Sequence, residues 1–200
     1  MNILITGAAG FIGYNLSKLL LEKKHVIYAI DNFDNYYSTN IKKKRISLLK
    51  KYRNFLFDKV DITNKKNLKN FFKKKKIDLV IHLAAQAGVR YSLVNPQKYI
   101  DVNIFGFLNL IEQLRLNKIK NFFYASSSSV YGDSTKFPLD EKQSLNPKNI
   151  YGLSKKLNEQ IAEFYSKCFK INSTGLRFFT IYGEWGRPDM FMLKLFKAKM

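Results

Sequence analysis

Short apolar runs alternate with longer amphipathic segments along this chain, and the alternation predicts strands and helices in turn. The predicted strands are 2–6, 25–30, 54–58, 77–83, 119–126 and 174–179. The predicted helices are 11–23, 40–51, 65–75, 97–116 and 150–169, with the start of another near 190–200. Strands that are apolar on both faces and separated by crossover helices belong in a covered parallel sheet. The pattern therefore predicts an α/β fold, a doubly wound parallel sheet with helices on both faces.

Composition indicates a globular chain. Hydrophobic residues make up 46% and charged residues 25% of 200 residues, which argues against disorder and fits about one domain. No stretch approaches the roughly 18 apolar residues of a membrane span, and the N-terminus lacks a leader pattern. The lone Cys168 cannot form an internal disulfide. We therefore expect a cytoplasmic protein without a membrane partner.

The net charge of +20 admits two interpretations. A strongly basic field attracts polyanions such as nucleic acid. Alternatively, the excess reflects compositional bias, since Lys, Asn, Ile, Phe and Tyr share AT-rich codons. The lysine runs at 42–44, 65–66 and 73–76 are not interleaved with aromatic residues that could stack on bases. We expect these runs to form solvated faces, and we expect no specific nucleic-acid partner.

A glycine-rich loop falls where the first predicted strand gives way to the first helix. Gly7, Gly10 and Gly13 would let the backbone turn tightly and approach a pyrophosphate, which the helix N-terminus stabilises. Asp31 ends the second predicted strand, where a carboxylate can accept hydrogen bonds from ribose hydroxyls and repel a 2′-phosphate. Loop, helix and acid together predict a dinucleotide site that prefers NAD to NADP.

A tyrosine and a lysine are spaced one helical turn apart. Tyr151 and Lys155 open the predicted helix 150–169 and share a face. A phenol of pKa about 10 must lose roughly 3 units to act as a base near pH 7, and a neighbouring ammonium shifts it in that direction. The serine run 126–129 follows the fifth strand, where ligands of such sheets bind. A site with a tyrosine base and a serine hydroxyl is thus favoured over a surface pair.

These motifs resemble the extended short-chain dehydrogenase/reductase superfamily, in particular its NAD-dependent sugar-nucleotide epimerases. The resemblance rests on Gly7-x-x-Gly10-x-x-Gly13, on 82–85 (HLAA), on the serines before 130–132 (VYG), and on Tyr151-x-x-x-Lys155. Three further segments resemble UDP-glucuronate 4-epimerases and extend the similarity over nearly the whole chain. They are 31–37 (DNFDNYY), 86–92 (QAGVRYS) and 175–190 (GLRFFTIYGEWGRPDM).

The resemblance implies a Rossmann fold and a redox cycle on NAD that interconverts UDP-glucuronate and UDP-galacturonate through a 4-keto sugar. Tyr151 would remove the proton of the 4-hydroxyl, Lys155 would bind the nicotinamide ribose and lower the pKa of Tyr151, and Ser127 would bond the 4-oxygen. Cofactor contacts are implied for Gly7, Gly10, Phe11, Ile12, Gly13, Asp31, Asn32, Asp61, Ile62, Leu83, Ala84, Ala85, Asn103 and Lys155.

Substrate contacts are implied for Arg90, Ser128, Ser129, Thr180 and Arg187. A guanidinium can pair bidentately with a uronate carboxylate, and Arg187 is the first candidate. Alternatively, Arg177 and Arg187 only brace the loop around Trp185. Related dehydratases carry an acid beside the catalytic hydroxyl, whereas 126–129 offers only serines. His25, His82 and Cys168 do not share a face with acids, so no metal site is expected, and His82 is interpreted as a core residue.

Members of the implied family are longer than this chain. We therefore predict an NAD-binding Rossmann domain over 1–182 and the start of an incomplete substrate-binding region over 183–200, with most of the C-terminal lobe missing. The alternatives to this epimerase are an inactive NAD-binding module and another sugar-nucleotide epimerase or dehydratase of the same superfamily. Glu184 stands where the family pattern has proline. The resemblance also implies a homodimer through helices near 97–116 and 150–169.

Overall fold

A computed structural model describes residues 1–73, 75–190 and Leu195. Its strands are β1 (Asn2–Thr6), β2 (Val26–Asp31), β3 (Phe55–Lys59), β4 (Leu79–His82), β5 (Asn121–Ser127) and β6 (Asn172–Phe178). Its helices are α1 (Phe11–Glu22), α2 (Thr39–Leu49), α3 (Lys65–Phe72), α4 (Tyr91–Val94), α5 (Pro96–Tyr99), a π-helix (Ile100–Gly106), α6 (Phe107–Leu116), a 3-10 helix (Ser128–Val130) and α7 (Ile150–Phe169).

The strands confirm the predicted doubly wound parallel sheet, with helices around it. Their order is β3-β2-β1-β4-β5-β6, the order typical of a Rossmann fold. Contacts divide the described chain into two units. The first comprises the described residues within 1–61, 74–84 and 180–200, and the second comprises 62–73 and 85–179. The predicted domain boundary after residue 182 remains a prediction.

The first unit is built on β1, which pairs in parallel with β2 on one side and β4 on the other. Its interior is aliphatic, with Ile3, Ile5, Ile27 and Ala29 buried. Thr6 Oγ1 lies 2.6 Å from His82 Nδ1 and accepts from the Ala84 N–H. His82 is therefore a hydrogen-bonded core residue, as predicted, and it fixes the backbone where β1 and β4 both end.

The second unit packs α6 and α7 with the β5–β6 pair. The predicted single helix over 97–116 is instead α5, the π-helix and α6 in succession. This difference arises because the widened turns of a π-helix depend on packing rather than on apolar spacing. The other predicted elements are confirmed within two residues at nearly every end, and the helix at 150–169 has the predicted bounds. The helix predicted near 190–200 lies largely outside the described residues.

One prediction about charge was wrong. Lys42 is buried and donates from Nζ to the Asp34 carbonyl at 2.6 Å, so the run at 42–44 is only partly a solvated face. Lys43 and Lys44 are exposed, as expected. Within the described ranges, no helix combines the length and apolar character needed to cross a bilayer.

Candidate active site

The glycine loop of the first unit leaves no room for side chains at two of its glycines. Gly7 has φ +72°, and a Cβ there would lie 2.7 Å from the backbone nitrogen of Ala84. A Cβ on Gly13 would lie 2.2 Å from the Gly7 carbonyl oxygen. The Gly10 N–H donates to that same oxygen at 2.9 Å and closes the turn. The sequence thus requires glycine where the start of α1 folds back on the end of β1.

The N-terminus of α1 is open to an anion. Gly10 occupies the N-cap position and supplies no side-chain cap, so the first helical N–H groups, at Phe11 and Ile12, lack intrahelical acceptors. N–H groups of this kind, together with the helix dipole, bind phosphates. The predicted cofactor residues of this loop lie together in one turn, and their pyrophosphate role remains a prediction: Gly7, Gly10, Phe11, Ile12 and Gly13.

Asp31 is fastened to this loop. Its Oδ2 accepts from the Ala9 N–H at 3.1 Å and its Oδ1 accepts from the Phe33 N–H at 2.8 Å. Burial raises the pKa of Asp31 above 3.8, and the two backbone donors and Lys42 oppose that rise. The side chain is only partly buried, so its carboxylate retains lone pairs that a ribose hydroxyl could use.

The remaining predicted cofactor residues of the first unit lie at the same edge of the sheet. Asn32 donates from Nδ2 to Asp61 Oδ2 at 2.9 Å, which brings together the segments that follow β2 and β3. The Leu83 N–H donates to the Thr6 carbonyl at 3.1 Å, and the backbone of Leu83 and Ala84 contacts Gly7. The carboxyl ends of β1, β2, β3 and β4 thus carry the glycine loop, Asp31, Asp61 and Leu83, the arrangement that dinucleotide-binding sheets use.

Tyr151 and Lys155 occupy the first turns of α7 in the second unit. Asn149 caps this helix by accepting from the Gly152 N–H at 2.8 Å. A Cβ on Gly152 would lie 2.6 Å from the Ser129 carbonyl oxygen, so the helix start packs directly on the serine run. The structure therefore brings Tyr151 and the serines to the same place, at the end of β5.

Lys155 is almost completely buried, with 3% exposure, and its Nζ donates to the Ala125 carbonyl at 2.9 Å. Burial lowers the pKa of Lys155 to about 8. Ser127 is buried and its Oγ accepts from the Ser129 N–H at 3.2 Å, while Ser128 and Ser129 are partly exposed. The chain holds a buried cation and a hydroxyl at the end of β5.

Sequence reasoning missed a polar cluster behind the serines. Ser126 Oγ donates to Glu159 Oε1 at 2.5 Å, and Glu159 forms a bidentate pair with Arg177 at 3.0 and 2.8 Å. Arg177 also donates to the Tyr131 hydroxyl at 3.0 Å. Arg177 thus supports the segment after β5, whereas the alternative interpretation had it bracing the loop around Trp185. A sequence feature that could have indicated this cluster is Glu159, an acid one helical turn after Lys155.

Asn103 lies in the π-helix and supports the segment after β4. Its Oδ1 accepts from the Gln86 N–H at 2.8 Å, and its Nδ2 donates to the Gln86 carbonyl and to Ser154 Oγ, at 3.1 and 3.0 Å. Ala85 precedes this clamp and is partly exposed. Ile62 is buried against Gly106. The cofactor roles implied for Ala85, Ile62 and Asn103 remain predictions.

The candidate substrate residues fall in both units. Arg90 lies in the second unit and Thr180 in the first, and both side chains are exposed. Arg187, in the first unit, is paired bidentately with Asp189, at 3.0 Å through Nε and 2.5 Å through Nη2. Its guanidinium also lies 5.5 Å from the ring centre of Tyr36. Asp189 occupies the Nε and Nη2 positions of this guanidinium and partly neutralises its charge.

A second residue that the sequence analysis missed, Arg45, contacts the loop around Trp185. Its Nη2 donates to the Trp185 carbonyl at 2.5 Å and its Nη1 donates to the Ala9 carbonyl at 2.8 Å. Its place after three lysines gave no signal of burial.

Among the described residues, no group of three potential ligands could hold a metal ion.

The chain matches the NAD dependent epimerase/dehydratase family over residues 3–199. It is 47% identical to Protein CapI of Staphylococcus aureus over 199 residues, 99% of this chain and 59% of the relative. It is 44% identical to UDP-glucuronate 4-epimerase 2 of Arabidopsis thaliana over 192 residues, 95% of this chain and 44% of the relative.

A crystal structure of UDP-glucuronic acid 4-epimerase from Bacillus cereus, in complex with UDP-glucuronic acid and NAD, superposes with a TM-score of 0.92 at 36% identity. That comparison covers 100% of this chain and 63% of the solved chain. The chain thus spans about three fifths of that structure and of the first relative. With a match over nearly its full length, the chain belongs to the NAD dependent epimerase/dehydratase family.

Proposed function

We propose that the protein is an NAD-dependent 4-epimerase that interconverts UDP-glucuronate and UDP-galacturonate through a 4-keto intermediate. The observation that carries the proposal is the start of α7. There Gly152, next to Tyr151, packs on Ser129, and the buried Lys155 donates to the Ala125 carbonyl at the end of β5. The UDP-glucuronate 4-epimerases named among its relatives support the choice of sugar.

The residues of the first unit fit a dinucleotide. Gly7 and Gly13 exclude side chains from the turn, and α1 presents uncapped N–H groups there. We assign the pyrophosphate to this turn, the adenosine ribose to Asp31, and the adenine surroundings to Asn32, Asp61 and the backbone of 83–84. NAD held there would supply the hydride acceptor, and in its reduced form the hydride donor, for the sugar.

The residues of the second unit handle the proton. Tyr151, as phenolate, would take the proton of the sugar 4-hydroxyl as the hydride leaves, and would return it when the hydride comes back to the other face. Lys155 remains mostly protonated at pH 7 with a pKa of about 8, so its ammonium can favour the phenolate. Ser127 would hydrogen-bond the 4-oxygen, and Ser128 and Ser129 would contact the sugar.

Arg187 is the proposed anchor for the uronate carboxylate, with Thr180 beside it and Arg90 as a further contact. A planar fork suits a carboxylate, as the bidentate pair of Arg187 with Asp189 illustrates. A 4-keto uronic acid is a β-keto acid that loses carbon dioxide readily. Holding the carboxylate still would suppress that loss.

Dehydration is the competing chemistry. It needs an acid that moves a proton at C5, and the acid that contacts the serine run is Glu159. Both oxygens of Glu159 are paired with Arg177, so this carboxylate serves the fold. The arrangement therefore favours epimerisation.

We extend the proposal to a homodimer in the cytoplasm that supplies sugars for surface polysaccharide. The four apolar residues considered on the predicted dimer helices differ in their exposure to solvent. Phe107 and Ile111 are buried in the second unit, while Phe105 and Leu108 are exposed at 55% and 37%. The latter two are the proposed contacts of the dimer.

The test is chromatography of UDP-glucuronate incubated with the NAD-loaded protein. We expect UDP-galacturonate to accumulate, and we expect Tyr151→Phe to bind NAD but lose turnover by at least about 100-fold. NAD binding without turnover in the wild type would instead indicate a cofactor-binding module. An unchanged rate in Tyr151→Phe would contradict the assignment of the base.

A further inference from the structure

Arg45 connects three separate parts of the first unit. It lies in α2 and is fully buried. Nη1 donates to the Ala9 carbonyl at 2.8 Å and to the Tyr37 hydroxyl at 2.7 Å. Nη2 donates to the carbonyls of Trp185 and Gly186, at 2.5 and 3.4 Å. One guanidinium therefore ties together the glycine loop, the segment after β2, and residues 185–189, which we call the Trp185 segment.

Side chains hold both polar groups of Ala9 in the glycine loop. The Ala9 N–H donates to Asp31 while the adjoining Ala9 carbonyl accepts from Arg45. One carboxylate and one guanidinium therefore hold the two peptide groups of Ala9, in addition to the backbone bonds that close the turn. A buried guanidinium whose Nε finds no acceptor in the described chain is costly, and its four Nη bonds are what offset that cost.

The Trp185 segment carries Arg187 two positions beyond the carbonyl that Arg45 holds. Two further contacts attach this part of the chain to α1. Asn15 donates to the Glu184 carbonyl at 3.1 Å, and the Trp185 ring lies 5.5 Å from that of Tyr14. These contacts give the segment a second attachment at the start of α1, where Asn15 also donates to the Phe11 carbonyl at 3.0 Å, whereas Arg45 holds the loop at Ala9.

We infer that Arg45 is a positioning residue that fixes both the pyrophosphate turn and the Trp185 segment. One side chain thus aligns the loop that would bind the cofactor with the segment that carries Arg187, the proposed anchor of the uronate carboxylate. The inference rests on the proposed function for the roles of those two segments. Lysine cannot replace the planar fork, because a single ammonium cannot span acceptors on opposite edges.

The first test uses NAD-free protein and three variants, Arg45→Met, Arg45→Lys and Lys43→Met. Lys43 is exposed on the same helix, so its variant matches the lost charge without touching the cluster. We expect amide hydrogen exchange over 7–13 and 183–189 to accelerate together by roughly tenfold in Arg45→Met, the factor for about 1.4 kcal/mol. Acrylamide quenching of Trp185, the single tryptophan, should rise in parallel.

Arg45→Lys should show a smaller change in both segments, and Lys43→Met should match the wild type. If Arg45→Met does not fold, Arg45→Lys decides the question by the same measurement. Loosening of only one segment, or of neither, in a folded Arg45 variant would overturn the inference.

A second measurement connects the inference to binding. In Arg45→Met, we expect the NAD dissociation constant to rise by roughly tenfold and the preference for UDP-glucuronate over UDP-glucose in kcat/KM to fall. Failure of the wild type to bind NAD would count against the proposed function, whereas the exchange result on NAD-free protein would still decide the role of Arg45.

Discussion

The Nζ of Lys155 donates to the carbonyl oxygen of Ala125 at 2.9 Å, inside the second unit and away from solvent. This hydrogen bond holds the first turns of α7 against β5, one residue before the serine run begins. Burial removes water from the ammonium and lowers the pKa of Lys155 to about 8. Burial of the ammonium that the proposed chemistry uses therefore lowers the free energy of unfolding.

This cost predicts a pH dependence of unfolding. The folded pKa of about 8 lies below the ordinary lysine pKa of 10.5, so the unfolded state binds more protons between these values. Stability of the wild type relative to Lys155→Met should thus rise from about pH 8 to about pH 10.5, by at most about 3 kcal/mol.

Urea unfolding of both proteins at half-unit pH steps measures this difference. Lys43→Met is the control, because it removes a lysine ammonium from an exposed position of α2. A flat difference between wild type and Lys155→Met would show that burial does not perturb Lys155.

Two glycines of the loop should differ in their tolerance of alanine. A Cβ on Gly13 would lie 2.2 Å from the Gly7 carbonyl oxygen, whereas one on Gly10 would lie 3.0 Å from it. Gly13→Ala must displace backbone and should reduce NAD affinity by at least about tenfold, while Gly10→Ala should reduce it less. Calorimetric titration of NAD checks the order, and equal affinities of the two variants would contradict the proposed cradle.

Asp31 should decide between the two dinucleotides. Asp31→Asn keeps an acceptor for one backbone N–H but removes the charge that would repel a 2′-phosphate. We expect the ratio of NADP to NAD affinity to rise by roughly tenfold or more. Asp58→Asn, at a more exposed carboxylate of the same unit, is the matched control. An unchanged ratio in Asp31→Asn would remove Asp31 from the cofactor site.

Arg187 should protect the intermediate from losing carbon dioxide. Arg187→Ala should raise KM for UDP-glucuronate and increase the fraction of decarboxylated pentose product, because the carboxylate would no longer be held. Arg187→Lys retains the positive charge without the planar fork, so its KM and its decarboxylated fraction should lie between those of the wild type and Arg187→Ala. Mass spectrometry of the nucleotide products measures the fraction, and no increase over wild type in Arg187→Ala would contradict the assignment.

The local features of the fold could be predicted from the sequence because their causes are local. Apolar runs gave the strands, and the spacing of Gly7, Gly10 and Gly13 indicated a tight turn before α1. The spacing of Tyr151 and Lys155 likewise placed both on one face of a helix that begins where predicted.

The missed features depend on distant partners. Arg45 is buried because its acceptors include a carbonyl 140 positions away, and nothing in the neighbouring lysines distinguishes it. Glu159 meets Arg177 across 18 positions, and the π-helix depends on a hydrogen-bond register that apolar spacing does not encode. Such contacts follow from the assembled fold rather than from any segment of the chain.

The most direct measurement of the proposed chemistry is to incubate UDP-glucuronate with the NAD-loaded protein in deuterium oxide and to record the proton spectrum of the UDP-galacturonate formed. A hydride that leaves C4 and returns to it never meets solvent, so the product should retain its hydrogen at C4 and contain no deuterium at C5. Deuterium at either carbon, or the absence of UDP-galacturonate from protein that carries NAD, would contradict the proposed function.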